Sequence, residues 1–378
     1  MNNTVDKPAA ALTPASGPIR PLPDALAHAI LTPGRWSAIL AILVACSGAA
    51  LVVCMQFGAE SLGVMQSLRI LVSALRHGEA GIDEAGAAGA ILIYVRLPRV
   101  LTGFLVGASL GAVGATLQAL VRNPLADPYI LGISSGAALG ACFAVLFGFS
   151  LTGAGVSVIS LSAFAGALLA ILLVYRIAAA GGRLPVQTLL LAGVVLNAIF
   201  SALIMFATSL MSPARSFGML AWLMGSLTGP DLVGLLLLSA YVLLGLGVLF
   251  RESTTLNVLT LGEEPARALG VDVDGVKRRL VITTALLTGA VVSVSGLIGF
   301  VGMAIPHVVR LLFGADHRLL LPASACVGGL LLVIADTVAR TALSPAEFPV
   351  GVVTALLGGP FFVYLLVRRQ DGSMGTSV

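Results

Sequence analysis

Apolar runs of about twenty residues, separated by short charged or Pro/Gly-rich breaks, recur from Ser37 to the carboxyl-terminal region. A helix rises about 1.5 Å per residue, so about 20 apolar residues cross a hydrocarbon layer about 30 Å thick. The pattern therefore predicts spans near 37–58, 98–120, 128–148, 156–177, 187–208, 232–250, 280–297, 298–313, 321–338 and 350–367. The seventh and eighth share too little chain for two generous crossings, and Gly289, Gly296, Gly299 and Gly302 all offer turning points. The expected fold is all-α, a polytopic membrane protein of about ten transmembrane helices.

Composition names the solvent. Of 378 residues, 58% are hydrophobic and 10% charged, against about 25% charged in a soluble domain. The lipid bilayer must surround most of the chain, and no room remains for a sizeable soluble domain. Residues 1–35, rich in Pro and Ala, read as a disordered cytoplasmic amino-terminal tail rather than a cleaved signal peptide. Residues 36–370 form the membrane domain, and 371–378 a short cytoplasmic carboxyl-terminal tail. The net charge of +4 calls for no nucleic acid, because membrane proteins gather Lys and Arg on the cytoplasmic side. With both termini inside, most basic residues fall there, and Arg69, Arg76, Arg96, Arg99, Arg215 and Arg340 remain outside.

Gly103, Gly107, Gly111 and Gly114 recur three or four apart on one helical face, which lets another backbone approach closely, within the chain or across a dimer. A constant offset also pairs Arg96 with Arg278, Gly107 with Gly289, Gly114 with Gly296 and Pro124 with Pro306, as an inverted repeat would. Cys46, Cys54, Cys142 and Cys326 lie in or beside apolar runs without metal-site or redox spacing, and read as packing residues.

The chain carries no visible fuel site. A phosphate-cradling loop ends in Gly-Lys-Ser/Thr, and neither lysine, Lys7 or Lys277, has that context. Ion coupling usually leaves carboxylates inside the membrane, yet Asp127, Asp231, Asp336 and Glu347 all fall near predicted span ends. Gly132-Ile133-Ser134-Ser135-Gly136 meets the bare G-x-S-x-G pattern of serine hydrolases, but it follows Pro124 and Pro128 at the start of a span rather than a strand. No HExxH pair or Cys/His cluster appears, so no metal or cofactor is expected on this chain.

Arg96-Leu97-Pro98-Arg99, continuing through Gly107 and Gln118 into Asn123-Pro124-Leu125-Ala126-Asp127-Pro128, resembles the BtuC/FecCD family of ABC importer permeases. So do the block from Leu256 to Val273 and the block from Phe348 to Pro360, which follows Ala335-Asp336 and Arg340. The resemblance implies a homodimer of ten-span subunits in the bacterial inner membrane. It implies two cytoplasmic ATPase subunits, which bind ATP and Mg, and a periplasmic substrate-binding protein. The cargo it implies is a bulky chelate, haem or an iron-siderophore, with cobalamin as the alternative within the family. An ion-coupled secondary transporter is the alternative from another class.

Site roles follow from the same resemblance. Residues 256–273 match the coupling loop that docks on the ATPase, with Leu261, Gly262, Glu264, Ala266, Arg267 and Gly270 in its pattern; a merely solvated loop is the other reading. Arg96, Arg99 and Arg340 match positions that meet acidic residues of the binding protein, against anchoring to lipid head groups. Asn123 and Leu125 match one part of a cytoplasmic gate, and Val186 and Gln187 the other, although Val186 departs from the small hydroxyl residue expected there. Along the fifth span Asn197, Ser201, Met205 and Thr208 form a mildly polar stripe, suited to line a path or to bond neighbouring helices.

Overall fold

The computed structural model describes residues 32–58, 62–149, 152–153, 156–181, 185–228, 230–343 and 346–374. The expected tail before residue 32 lies outside them. Fifteen helices are named here in chain order: α1 Pro33–Cys54, α2 Val64–His77, α3 Glu79–Glu84, α4 Gly86–Val121, α5 Ile133–Leu146, α6 Val158–Ala178, α7 Val186–Ser209 and α8 Pro213–Leu223. The rest are α9 Leu232–Arg251, α10 Ser253–Thr260, α11 Glu263–Ala268, α12 Val273–Ser295, α13 Val301–Phe313, α14 His317–Thr341 and α15 Val350–Met374. A β-pair of two residues per strand, Thr152–Gly153 with Val156–Ser157, precedes α6.

Seven of these helices, α1, α4, α6, α7, α9, α12 and α14, are long and apolar enough to cross a membrane. Shorter apolar helices, α5, α13 and the Val350–Tyr364 stretch of α15, fill the three remaining expected positions. The boundaries follow local chemistry. Thr32, Asp231, Asp272 and Asp316 cap α1, α9, α12 and α14 by accepting backbone N–H groups. Gly296, at φ 67°, ends α12, and Phe300 starts α13, so the break between the seventh and eighth spans falls at one of the anticipated glycines.

Several boundaries differ from the sequence expectation. Span seven begins at Val273 instead of residue 280, because its charged first turns find partners: Lys277 pairs with Glu263 and Arg279 with Glu252. Span two extends back to Gly86, through a π-helical stretch at Ile91–Arg96 just before Pro98, whose missing N–H would break a regular ladder. At the other terminus α15 continues to Met374, past the expected start of the tail at 371.

α4 is the axis of the molecule. It is largely buried against α14, α13, α12 and α9, and the glycine face packs within the chain. A Cβ on Gly107 would meet the Gly328 carbonyl of α14, one on Gly111 the Ser324 carbonyl, and one on Gly114 the Gly302 carbonyl of α13. The carboxyl end of α4 and the amino end of α12 share one end of the bundle, since Arg122 approaches Gly262 and Lys277 reaches Glu263. That end, carrying α10 and α11, is called the inner end here, and the opposite one the outer end.

Candidate functional site

The loop of residues 256–273 folds as two short helices joined at Gly262, whose φ of 120° suits glycine, and leaves α11 through Gly270 at φ 82°. Leu256, Leu259 and Ala266 are buried and fasten the pair to the bundle. Leu261 and Leu269 face outward, each 66% exposed, with the Glu264 side chain exposed too. The result is a protruding apolar knob with a charged rim. Behind it runs an ion network: Glu263 binds Lys277 and lies 3.6 Å from Arg267, which also reaches Glu264 at 3.1 Å and Asp274 at 3.4 Å. Lys277 is 4% exposed, so this pairing ties α11 to α12 from inside the fold.

Three of the four residues expected to form a gate come together with this loop. Asn123, Val186 and Gln187 line a cleft of about 610 Å³ whose other walls include Arg122, Pro185, Glu263, Glu264, Arg267 and Lys277. Asn123 shapes the turn after α4: its amide accepts from Leu125 N–H at 2.9 Å while its own N–H reaches the Gln118 carbonyl at 3.1 Å. Leu125 does not line the cleft and is 40% exposed. Val186 opens α7 after Pro185, which holds the N-cap position and has no side-chain acceptor, so the helix carries no side-chain cap.

In the same turn Asp127 caps a 3-10 turn at Pro128–Leu131, accepting Tyr129 N–H at 2.9 Å. Burial pushes its carboxyl up from 3.8 to about 6, against the lowering effect of that hydrogen bond.

The polar stripe of α7 divides. Asn197 donates to the Tyr129 carbonyl at 2.9 Å and accepts from Ser135, and Thr208 bonds back to Ile204 at 2.7 Å. Asn197 thus ties α7 to the Tyr129 turn and α5, the Thr208 bond stays within α7, and Ser201 and Met205 point outward, Met205 being 70% exposed. Ser134 and Ser135 of the hydrolase-like pattern sit on the first turn of α5, preceded by the 3-10 turn rather than a strand, and Ser135 is engaged by Asn197.

At the outer end Arg96, Arg99 and Arg340 gather as expected, but each already has partners in the chain. Arg99 grips Asp336 through bonds of 2.9 to 3.1 Å and reaches Glu347 at 3.0 Å. Arg96, 5% exposed, donates to the Met55 and Gln56 carbonyls that follow α1, and Arg340, 7% exposed, donates to Cys54 O at 2.6 Å. Arg215, another basic residue on the disfavoured side, donates to the Leu146 carbonyl at the end of α5. Sequence reasoning found these arginines by their position but not their carbonyl partners, which lie far away in the chain. Asn257 was missed altogether: it donates to Asp316 and accepts from His317 N–H, both at 2.8 Å, and so clamps α10 to the start of α14. Among the described residues no group of three or more His, Cys, Asp or Glu could hold a metal.

An almost wholly helical bundle of apolar, span-length helices with a protruding knob at one end suits a transport permease, and comparison with known proteins agrees. The chain belongs to the FecCD transport family, whose model matches residues 39–368. It is 47% identical over 294 residues to the cobalamin import system permease protein BtuC of Halobacterium salinarum, covering 77% of this chain and 76% of that protein. Against the hemin transport system permease protein HmuU of Yersinia pestis, identity is 42% over 291 residues, covering 75% and 85%. A solved chain described as an inward-facing conformation of a metal-chelate type ABC transporter superposes with a TM-score of 0.76 at 32% identity, covering 88% of this chain and 99% of that one. The chain is thus a multi-pass ABC importer permease, a transport subunit rather than an enzyme.

Proposed function

We propose that two copies of this chain form the translocation path of an importer in the bacterial inner membrane, with both termini cytoplasmic. Two separate ATPase subunits, holding ATP and Mg, drive it, and a periplasmic binding protein supplies cargo. The observation that carries this reading is the inner cleft, where gate residues Asn123, Val186 and Gln187 share one cavity with Glu263, Glu264 and Arg267. An externally powered gate needs a handle, and Leu261, Leu269 and Glu264 on α10 and α11 supply an apolar and charged one. Force on that handle reaches α12 through the pair of Glu263 with the buried Lys277.

Asp336, a carboxylate inside α14, is held by Arg99 and lies 3.7 Å from Arg340, an arrangement that favours ATP over ion coupling. Three outer guanidiniums against Asp336 and Glu347 leave excess positive charge, which we assign to docking acidic residues of the binding protein. For this Arg96 and Arg340 exchange carbonyl acceptors for carboxylates. Ser201 and Met205 are the stripe residues open to the path.

The cargo we assign is a metal macrocycle of the haem or cobalamin kind. Among the described residues no ligand cluster is found, which suits a metal whose ligands are already satisfied by its own ring, and the two relatives named above are named for cobalamin and hemin. Uptake of labelled haemin, cobalamin and a ferric siderophore by vesicles holding the assembled importer tests this. Uptake of one macrocycle is the expected result; uptake confined to the siderophore overturns the assignment.

A further inference from the structure

A second cavity, of about 250 Å³, lies at the inner end on the other side of the Arg122–Asn123 turn. Its lining includes Gln118, Arg122, Asn123, Thr260, Arg310 and His317. Two guanidiniums therefore border a small space, and neither Arg122 nor Arg310 has an acidic partner among the described residues. Arg310 donates to Gln118 Oε1 at 3.1 Å, and Gln118 in turn donates to the Met303 carbonyl, which fixes the guanidinium at the wall. Arg122 is held at φ 52°, a left-handed conformation uncommon for a residue with a side chain. Asp316, the carboxylate next to His317, is occupied by Arg318 and Asn257.

The independent observation is His317. Its side chain is 3% exposed, and Nε2 is buried with no hydrogen-bond partner. An orphaned buried polar atom costs stability unless something satisfies it. The tautomer follows from its neighbour: Asn257 Nδ2 donates to Asp316, so Asn257 Oδ1 is an acceptor, and His317 Nδ1 at 2.8 Å must donate to it. In the neutral ring Nε2 is then a lone pair that wants a donor. A ligand for this cavity needs negative oxygens for the two arginines and one O–H for Nε2.

We propose that this cavity binds a phosphomonoester-class anion in its singly protonated form, in which P–O⁻ oxygens meet Arg122 and Arg310 and the P–OH donates to His317 Nε2. Sulfate lacks the O–H at neutral pH, and so does a phosphodiester head group. Free phosphate and the head group of phosphatidic acid share the chemistry, and the site's place at one end of the spans opens it to both. The inference does not depend on the cargo or on the ATPase.

Binding to the full chain, purified in phosphate-free detergent, is measured by calorimetry with inorganic phosphate and sulfate, and by native mass spectrometry with phosphatidic acid and phosphatidylglycerol. Phosphate is expected to bind at least about tenfold more tightly than sulfate if the free anion is the ligand; preference for phosphatidic acid alone identifies the lipid. Arg122→Ala, at an exposed position, and His317→Asn, which keeps a donor toward Asn257 while removing Nε2, should each weaken binding about tenfold. The proposal is overturned if neither phosphomonoester is preferred over its control. It is equally overturned if a preference persists in the Arg122→Ala/His317→Asn double variant.

Discussion

Asp127, in the turn after α4, shows how a single residue carries both structure and a titration. Its folded-state value of about 6 lies above the ordinary 3.8, so the proton is bound more tightly in the native protein. The sign follows: the stabilisation is complete below pH 4 and is lost as pH rises through 6. Asp127→Asn keeps an oxygen to accept Tyr129 N–H and removes the titration. Relative to the variant, wild type should lose about 1–3 kcal/mol between pH 4 and pH 7, read from thermal unfolding in detergent. Equal pH profiles for the two proteins would rule out the buried-carboxyl account. Lys277 teaches the complementary lesson. In sequence it marks a polar break before span seven, yet it lies inside α12, because Glu263 neutralises it there. Its isolation as one of two lysines was legible, but its partner was not, since the pairing depends on how α11 folds back.

Elements were legible where one rule governs them. The apolar runs located every span position, because lipid leaves the backbone few options but a helix, and the spacing from Gly103 to Gly114 showed which face of α4 packs closely. Gly111→Val tests that face. The added side chain meets the Ser324 carbonyl of α14, where neither backbone can yield, and should cost about 3 kcal/mol or prevent folding, whereas Gly34→Val, in open space, should change little. A folded yield equal to wild type for Gly111→Val would contradict the packing. The amphipathic helices α2 and α8 escaped a search for span-length runs. In α2, Arg69 and Arg76 interrupt the apolar positions, and its inward contact is made by residues as unremarkable as Ser67 and Ile70. Arg96, Arg99 and Arg340 gather at one end of the bundle, and the engagement of Arg96 and Arg340 by Cys54, Met55 and Gln56 depends on the chain folding back after α1.

At the scale of the molecule, the parts fit a passage worked from outside itself. Rigid glycine contacts bind α4 to α13 and α14, while the inner cleft lies between the amino end of α7 and α11. α7 leaves Leu191, Val194, Val195 and Phe206 exposed, an apolar face that a bilayer or a second copy must cover. Transport in this account requires that the handle on α10 and α11 be pulled by a nucleotide-hydrolysing partner. The most direct test is cargo uptake into vesicles by the complete importer, by the permease alone, and by an importer whose permease lacks residues 263–270. ATP-dependent uptake by the complete importer alone, with ATP hydrolysis persisting in the deletion complex, is the predicted result; uptake by the lone permease, or normal uptake by the deletion variant, would contradict it.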